Sequence, residues 1–212
     1  MTNGQINPPS PPTTFGVIFM GGESRRLGQE KASVELAGMT LLDRIVDRLS
    51  PQCAQLALSV RRAGDGLEGL DEVVDPVTEK PGGPLMGVLA ALRWARGQGA
   101  RFLLTSPVDT PFLPTDLADR LRAEMSGHRA RSAVAVSRDR IHGLTALYGT
   151  DLLPDVERLV LQEDERMLQA FHLRIGSVPT VFATTPTDPF ININTPEDLA
   201  AARALIGENP SS

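Results

Sequence analysis

Apolar runs and amphipathic stretches alternate along most of this chain. Short runs rich in Val, Ile, Leu and Phe predict strands at 15–20, 55–60, 71–75, 101–107 and 177–184. Stretches with apolar residues three or four positions apart predict helices at 40–49, 83–95, 115–125 and 195–207. This alternation favours an α/β fold, in which a mostly parallel central sheet carries helices on both faces.

The segments between these elements add shorter ones. SAVAVS at 132–137 and GLTALYG at 143–149 predict a pair of neighbouring strands, and ASVELAG at 32–38 predicts a short extended piece. Further helices are predicted at 151–160, with an interruption at Pro154, and at 164–173. Threonines stand before three of the helices and can serve as N-caps: Thr40, Thr115 and Thr195.

Length and composition suit one compact domain. The chain has 212 residues, of which 41% are hydrophobic, and we place the domain at 15–207. Residues 1–14 predict a disordered, proline-rich arm, and residues 208–212 predict a flexible tail. The N-terminal stretch lacks the basic and apolar regions of a secretory signal, and no apolar run approaches the length of a membrane span.

Charge and cysteine content limit the kind of partner. The 21 basic and 26 acidic residues give a net charge of -5, so a general nucleic-acid binder is not expected. Any anion site must therefore be a local concentration of positive charge. The single cysteine, Cys53, excludes a disulfide within the chain and the paired-cysteine metal sites, which favours a cytoplasmic protein.

The first candidate site follows the first predicted strand. MGGESRRLGQEK at 20–31 combines glycines, whose backbone N–H groups can converge on an anion, with Arg25, Arg26 and Lys31. The stretch matches neither the GxxxxGK[ST] loop nor the GxGxxG loop. It predicts either a phosphate-binding loop or a glycine turn with exposed arginines.

Two aspartates follow other strands of the predicted sheet. Asp75 ends the strand at 71–75, and Asp109 follows the strand at 101–107. Ligands of such sheets bind beyond the carboxyl ends of the strands, and Mg²⁺ takes one or two carboxylates together with phosphate oxygens. With the glycine–arginine loop nearby, we favour a magnesium–phosphate site over the alternative that each aspartate only ends a strand or a turn.

Three further features carry weaker signals. PGGPLMG at 81–87 opens a helix whose N-terminus can attract an anion, or it is a simple turn. NINTP at 192–196 can bind a ligand or cap the last helix. The histidines lack metal-ligand spacing, and among them His142 is expected near a cleft.

Five segments, in this order, resemble the molybdenum cofactor guanylyltransferases, the MobA type of nucleotidyltransferase: GGESRRLGQEK, GGPLMG, VDTPFLP, HGLTALYG and DPFININTPEDLA. The resemblance runs from about Phe15 to Leu205. It implies a Rossmann-like three-layer sandwich of the nucleotidyltransferase type. It also implies transfer of GMP from Mg-GTP to molybdopterin that carries molybdenum, with release of pyrophosphate.

The resemblance also implies roles for individual residues. The GTP-binding positions would be Phe19, Met20, Gly21, Gly22, Arg26, Lys31, Ser59, Asp75 and Asp109. Lys31 and Asp109 would be the catalytic residues, with Lys31 at the phosphates and Asp109 as the Mg²⁺ ligand. The pterin side of the cleft would hold His142, Asn192 and Asn194.

The chain departs from the family pattern at a few positions. It reads FMGG where the family has LAGG, Glu30 where the family has aspartate, Ser59 where it often has asparagine, and Gly143 where it commonly has proline. A related enzyme that uses CTP or another phosphate acceptor is therefore kept as the alternative. The expected partners are the two substrates and, transiently, proteins that deliver molybdopterin or mature molybdoenzymes, with neither nucleic acid nor membrane among them.

Overall fold

A twisted sheet of seven strands organises the chain. The computed structural model describes residues 13–20, 31–64, 69–74 and 83–207. The strands of the sheet within these ranges are β1 (Thr14–Phe19), β4 (Gln55–Val60), β5 (Asp71–Val74), β6 (Phe102–Pro107), β7 (Ser132–Ser137), β8 (Arg140–Gly149) and β9 (Val178–Val181). Their order in the sheet is β5-β4-β1-β6-β8-β7-β9. Two short strands, β2 (Glu35–Leu36) and β3 (Met39–Thr40), form a separate hairpin.

The sheet is parallel apart from β8, which confirms the predicted mostly parallel α/β fold. β5, β4, β1 and β6 pair in parallel, β8 runs antiparallel between β6 and β7, and β9 pairs in parallel with β7. The carboxyl ends of six strands and the amino end of β8 therefore meet at one edge. We call it the carboxyl edge.

Helices cover both faces of the sheet. They are α1 (Leu41–Leu49), α2 (Gly83–Gly97), α3 (Leu117–His128), α4 (Leu153–Glu157), α5 (Leu168–Arg174) and α6 (Pro196–Leu205). One apolar core joins β1 to α2, α4 and α5, and a second joins the opposite face of β1 to α1 and α3. Alternate residues of β1 enter the two cores, Val17 the first and Ile18 the second, as expected for a strand buried on both sides.

The first strand begins one residue earlier than predicted. Thr14, which we expected at the end of the N-terminal arm, is the first residue of β1 and is buried. Its carbonyl accepts a hydrogen bond from Ala54 N–H at 2.8 Å, and its hydroxyl accepts one from Arg122 at 2.9 Å. These two bonds extend the strand to Thr14. Residues 1–12 of the arm and the tail lie outside the described residues.

The threonine caps are correct for two helices and wrong for the third. Thr40 caps α1 through Asp43 N–H, and Thr195 caps α6 in a capping box. Thr115 does not cap α3, because that helix begins at Leu117 with Asp116 at its N-cap position. Gln52, far away in sequence, supplies the missing acceptor, since its Oε1 accepts from Ala118 N–H at 2.8 Å.

Other boundaries also differ from the predictions. β8 begins at Arg140 instead of 143, because Arg138 and Asp139 both adopt positive φ and form a two-residue hairpin turn. α5 begins at Leu168 instead of 164, because the Glu165 carboxylate accepts from the backbone N–H groups of the next two residues. Pro154 lies in the first turn of α4 and does not interrupt it, and a π-helical turn, Arg158–Gln162, extends that helix.

None of the helices in the described ranges is long and apolar enough to cross a membrane.

Gly16 of β1 lies in close contact with Leu56 of β4 and with Cys53, which precedes that strand. A Cβ built there would lie 2.4 Å from Leu56 Cδ2 and 2.9 Å from Cys53 Sγ. We expect Gly16→Ala to lower the free energy of unfolding by about 1–3 kcal/mol, since overpacking displaces buried side chains. Urea unfolding followed by circular dichroism measures it.

Gly127→Ala is the matched control, because this glycine lies inside α3 with no atom within 4 Å of the added Cβ. There the substitution should raise the free energy of unfolding by about 0.5–1 kcal/mol, the gain in helix propensity. Equal effects of the two substitutions would contradict the close contact at Gly16.

Candidate functional site

The residues of β1 and β4 that were predicted for the nucleotide side lie next to each other at the carboxyl edge. Phe19, the last residue of β1, is paired with Ser59 of β4 on one side and with Pro107 of β6 on the other. Phe19 and Ser59 are both buried, and Met20 packs against the second core. Three of the predicted GTP-side positions are therefore neighbours where the ligands of parallel sheets bind.

Asp109 lies two residues beyond the end of β6, in a turn fixed by backbone hydrogen bonds. Val108 N–H donates to the Phe19 carbonyl at 2.9 Å, which ties this turn to the end of β1. The Asp109 carbonyl accepts from Ile193 N–H at 2.9 Å. Asp109 is buried, with 8% of its surface exposed. The turn thus holds a carboxylate at the carboxyl edge with little freedom to move.

Several predicted residues lie outside the described ranges. They are Gly21, Gly22, Arg26 and Asp75. Lys31 is the first residue of a short 3-10 turn, Lys31–Ser33, and its side chain is likewise not described. The roles expected for these residues therefore stay predictions.

His142, one of the residues predicted for the pterin side, packs against Phe190. The Phe190 ring lies 4.6 Å from the imidazole of His142, between ring centroids, and 5.0 Å from the ring of Phe182. The chain then continues through Asn192 and Asn194, both half-buried, to the start of α6. The structure therefore brings His142 into the same neighbourhood as the segment that carries the two asparagines.

The cap of α6 fixes this asparagine segment. The sequence allows the asparagines either to bind a ligand or to cap the last helix. In the structure, the capping residues of α6 are Thr195 and Asp198. Thr195 Oγ1 accepts from Asp198 N–H at 3.1 Å, and the Asp198 carboxylate accepts from the backbone N–H groups of Asn194 and Thr195, each at 2.9 Å. The backbone of Asn194 is thus anchored to the helix.

A chain of polar groups joins the β7–β8 hairpin to the loop before Phe190. His142 Nε2 lies 2.8 Å from Ser137 Oγ, and Ser137 Oγ donates to Asp188 Oδ1 at 2.9 Å. Burial lowers the pKa of His142, and the nearby charge of Arg140 lowers it further, while the Asp188 carboxylate opposes both effects. His142 is therefore neutral at pH 7.

A second histidine, His172, fixes the backbone next to His142. It is buried, with its Nε2 2.8 Å from the Gly143 carbonyl and its Nδ1 2.8 Å from Ser177 Oγ. Burial lowers the pKa of His172. A neutral ring with hydrogen on Nε2 satisfies both contacts, since it donates to the carbonyl and accepts from the serine.

Sequence reasoning missed Ser137, Asp188 and His172 as parts of this region. Ser137 and Asp188 are 51 positions apart, and no local pattern links them. The available signal was an aspartate within DPFININTPEDLA, a segment already singled out for its asparagines.

The donor set at Asp109 fits Mg²⁺ bound together with phosphate. The described part of the chain holds no group of three or more His, Cys, Asp or Glu side chains placed to bind a metal ion. A metal site formed by protein side chains alone is therefore not found in the described part of the chain. One buried carboxylate at the carboxyl edge suits Mg²⁺, which takes few protein ligands and completes its shell with phosphate oxygens and water.

Comparison with known proteins gives the family of the chain. Residues 16–175 match the model of the MobA-like NTP transferase domain. The chain belongs to this family. The name of the family indicates nucleotidyl transfer as the class of reaction.

Relatives and solved structures extend the match over most of the chain. A protein of Rhodopseudomonas palustris (strain BisB5) named molybdenum cofactor guanylyltransferase is 41% identical, covering 92% of this chain and 94% of the relative. One of the same name from Rhodobacter capsulatus is also 41% identical, covering 92% and 97%.

Two solved structures share the fold. Molybdopterin-guanine dinucleotide biosynthesis protein A from Archaeoglobus fulgidus superposes with a TM-score of 0.73 at 24% identity, covering 92% of this chain and 100% of that one. A 2-C-methyl-D-erythritol 4-phosphate cytidylyltransferase from Thermus thermophilus gives a TM-score of 0.64 at 16% identity, covering 90% and 97%.

The buried, neutral His172 predicts that acid destabilises the protein. Its pKa is lower in the folded state than the unfolded value of about 6.5, so protons bind preferentially to the unfolded chain. The stabilising contribution is complete above pH 6.5 and is lost as pH falls from there through the folded pKa. Urea unfolding at pH 7.5 and at pH 5.5 measures this loss.

His172→Gln removes the titrating group while keeping one donor and one acceptor. The variant should lose less stability than the wild type between these two pH values. His128→Gln, at an exposed position of α3, is the control and should retain the wild-type loss. An undiminished loss in His172→Gln would contradict the assignment.

Proposed function

We propose that this protein transfers GMP from Mg-GTP to the terminal phosphate of molybdopterin that carries molybdenum. The products are molybdopterin guanine dinucleotide and pyrophosphate. The family membership and the guanylyltransferase names of relatives at about 40% identity support a nucleotidyltransferase with GTP and molybdopterin as substrates. The residue roles below rest on the resemblance to the family and, for the described residues, on their places at the carboxyl edge.

The observation that carries the proposal is the hydrogen bond from Ile193 N–H to the Asp109 carbonyl. It joins the segment with Asn192 and Asn194 to the turn with the candidate metal ligand. One side of the carboxyl edge then suits a nucleotide bound along Phe19 and Ser59. The other side suits the second substrate, near the asparagines and His142.

The reaction is a direct displacement at phosphorus. An oxygen of the molybdopterin phosphate forms a bond to the α-phosphorus of GTP, and the bond from that phosphorus to the bridging oxygen of pyrophosphate breaks. The attacking oxygen is already anionic near neutral pH, so no strong general base is required. The protein therefore contributes orientation and stabilisation of charge.

The two catalytic residues would divide this work. Asp109 would hold Mg²⁺, which when bound neutralises phosphate charge and aligns the phosphate oxygens. Lys31 would donate charge-assisted hydrogen bonds to the phosphates of GTP, with Arg26 and the glycines at 21 and 22 in the same loop. Asp75 would contact the nucleoside end.

The alternative is a related nucleotidyltransferase that uses CTP or another phosphate acceptor. Ser59 supports this alternative, because it lies beside Phe19 on the proposed nucleotide side, at a position where the family often has asparagine. The cytidylyltransferase with the same fold shows only that this architecture also serves cytidine nucleotides. A choice between them needs a nucleotide competition.

We also place the reaction in the cytoplasm, because one cysteine in the chain suits a reducing compartment. Burial raises the pKa of the Cys53 thiol to about 12, so this residue is an unreactive part of the core. Transient contact with proteins that deliver molybdopterin or receive the product would complete the partner set.

Removal of the proposed metal ligand should abolish most turnover. We expect Asp109→Ala to reduce guanylyl transfer about a hundredfold or more, because charge on the transferred phosphate loses its compensation. Pyrophosphate release with GTP, Mg²⁺ and molybdenum-loaded molybdopterin measures it. Asp116→Ala, at an exposed position before α3 where the side chain makes no capping bond, is the control and should retain turnover. Near-normal turnover in Asp109→Ala would refute the metal assignment.

Nucleotides should protect the protein against thermal unfolding in a selective manner. A ligand at a hundred times its Kd adds about 2.7 kcal/mol of stability, which corresponds to roughly 5 to 10 °C in Tm for a chain of this size. We expect GTP with Mg²⁺ to give the largest shift among GTP, CTP, ATP and UTP. A larger shift with CTP would favour the alternative, and equal shifts with all four would contradict base selection.

A further inference from the structure

The polar chain from His142 through Ser137 to Asp188 lies where β7 ends and β8 begins. Ser137 and Asp188 are buried, with 1% and 7% of their surfaces exposed, while His142 is half-buried. A buried polar group is costly unless it is hydrogen-bonded, and these three are bonded to one another. The direction of each hydrogen bond can therefore be worked out.

Asp188 is surrounded by donors. Phe190 N–H donates to its Oδ1 at 3.0 Å, and Arg138 Nε lies 3.3 Å from its Oδ2. Ser137 Oγ lies 2.9 Å from Oδ1 and 3.1 Å from Oδ2. A carboxylate in such surroundings accepts only, so the hydrogen between Ser137 and Asp188 belongs to the serine.

Ser137 has one hydroxyl hydrogen, which forms the hydrogen bond to Asp188. Its oxygen can then only accept from His142 Nε2, which lies 2.8 Å away. The hydrogen of the neutral imidazole is consequently on Nε2, and the lone pair is on Nδ1. Within the described part of the chain, Nδ1 has no hydrogen-bond partner and is the acceptor of the neutral ring.

We propose that Ser137 and Asp188 are positioning residues that hold His142 with its hydrogen on Nε2, so that Nδ1 accepts a hydrogen bond from an N–H group of the acceptor substrate. The substrate part of this proposal rests on the proposed function, which places His142 on the acceptor side. The tautomer part rests on the hydrogen bonds within the protein. The two parts are tested separately.

An acceptor at this position suits a pterin. A pterin presents ring N–H groups and an exocyclic amino group, all of which are donors. A site that offers a fixed acceptor binds such a donor and disfavours a ring that presents a lone pair, because two lone pairs would then face each other. The orientation of His142 would thus contribute to the choice of acceptor substrate.

Charges around His142 are compatible with this role. Arg140 lies on the same strand, Arg138 lies in the preceding turn, and Asp188 lies beyond Ser137. Burial disfavours a charged imidazole most, and the charge of Arg140 adds to this effect, while the Asp188 carboxylate opposes both. The ring is therefore mainly neutral, as an accepting Nδ1 requires.

Nitrogen NMR of the imidazole tests the tautomer in the full chain without any substrate. We expect ¹⁵N-histidine-labelled wild type at pH 7.5 to show His142, assigned by its absence in His142→Gln, with hydrogen on Nε2. In Asp188→Asn, the amide can donate to Ser137 Oγ, which turns the serine hydrogen toward Nε2. The hydrogen of His142 should then move to Nδ1.

The matched control is Asp155→Asn, which makes the same change in a surface ion pair with Arg131 and should leave the tautomer as in wild type. Hydrogen on Nδ1 in the wild type, or an unchanged tautomer in a folded Asp188→Asn, would overturn the positioning role. Should Asp188→Asn not fold, Ser137→Ala takes its place, and there the preference for Nε2–H should decrease.

Kinetics test the contact with the acceptor substrate. With molybdopterin as acceptor, Asp188→Asn and Ser137→Ala should each raise the acceptor KM about tenfold, the effect of one lost hydrogen bond, with the KM for GTP unchanged. Ser126→Ala, the same change at an exposed position of α3, is the control and should keep both values. An unchanged acceptor KM in variants whose tautomer has moved would overturn the contact.

These two measurements separate the inference from the proposed function. If the wild type transfers no nucleotide to molybdopterin, the proposed function fails and the pterin contact fails with it. The NMR result still decides whether Ser137 and Asp188 set the tautomer of His142.

Discussion

The hydrogen bond between Ile193 N–H and the Asp109 carbonyl holds the two sides of the candidate site against each other. Ile193 is fully buried in a small third core with Val34, Leu36, Leu41 and Ala202. Val34 directly follows the Lys31–Ser33 turn, and Ala202 belongs to α6. A single buried isoleucine thus connects the Asp109 turn, the chain after Lys31 and the asparagine segment. Burial fixes Ile193, and the adjacent Asn192 and Asn194 are fixed with it.

The start of β8 is held by two neutral histidines with different tasks. The buried His172 donates to the carbonyl of Gly143. His142, which directly precedes Gly143, is hydrogen-bonded to Ser137 at the carboxyl edge. A Cβ on Gly143 would lie 3.0 Å from Leu168 Cβ, so α5 packs closely on this strand as well. The backbone next to His142 is therefore rigid, and the remaining freedom of that residue lies in its ring. The contact with Ser137 limits that freedom too.

Local signals were sufficient for elements whose stabilising partners are near in sequence. α1 follows its apolar stripe and its Thr40 cap, and α6 follows its capping box, so both helices were predicted closely. The start of α3 was predicted incorrectly, because the residue that accepts a hydrogen bond from its first turn, Gln52, comes from a distant turn that no local pattern reveals. β8 was predicted too short because Arg138 and Asp139, not glycines, take the positive φ values of the hairpin. In the site, the sequence indicated Phe19, Ser59, Asp109 and His142 through strand ends and family resemblance. The partners of His142 could not be found that way, since they meet only when β7, β8 and the loop before α6 are folded together.

The presence of a carboxylate at position 188 is better explained by its effect on the tautomer of His142 than by a contribution to folding stability. A buried carboxylate loses the hydration that water provides, and its hydrogen bonds and the contact with Arg138 must first offset this loss. An apolar side chain of similar size could fill the same space without that cost. Such a side chain would leave the Ser137 hydroxyl free to turn, and His142 would then populate both tautomers. What the carboxylate supplies is a fixed direction for a short series of hydrogen bonds that ends at the carboxyl edge, where a substrate would meet it.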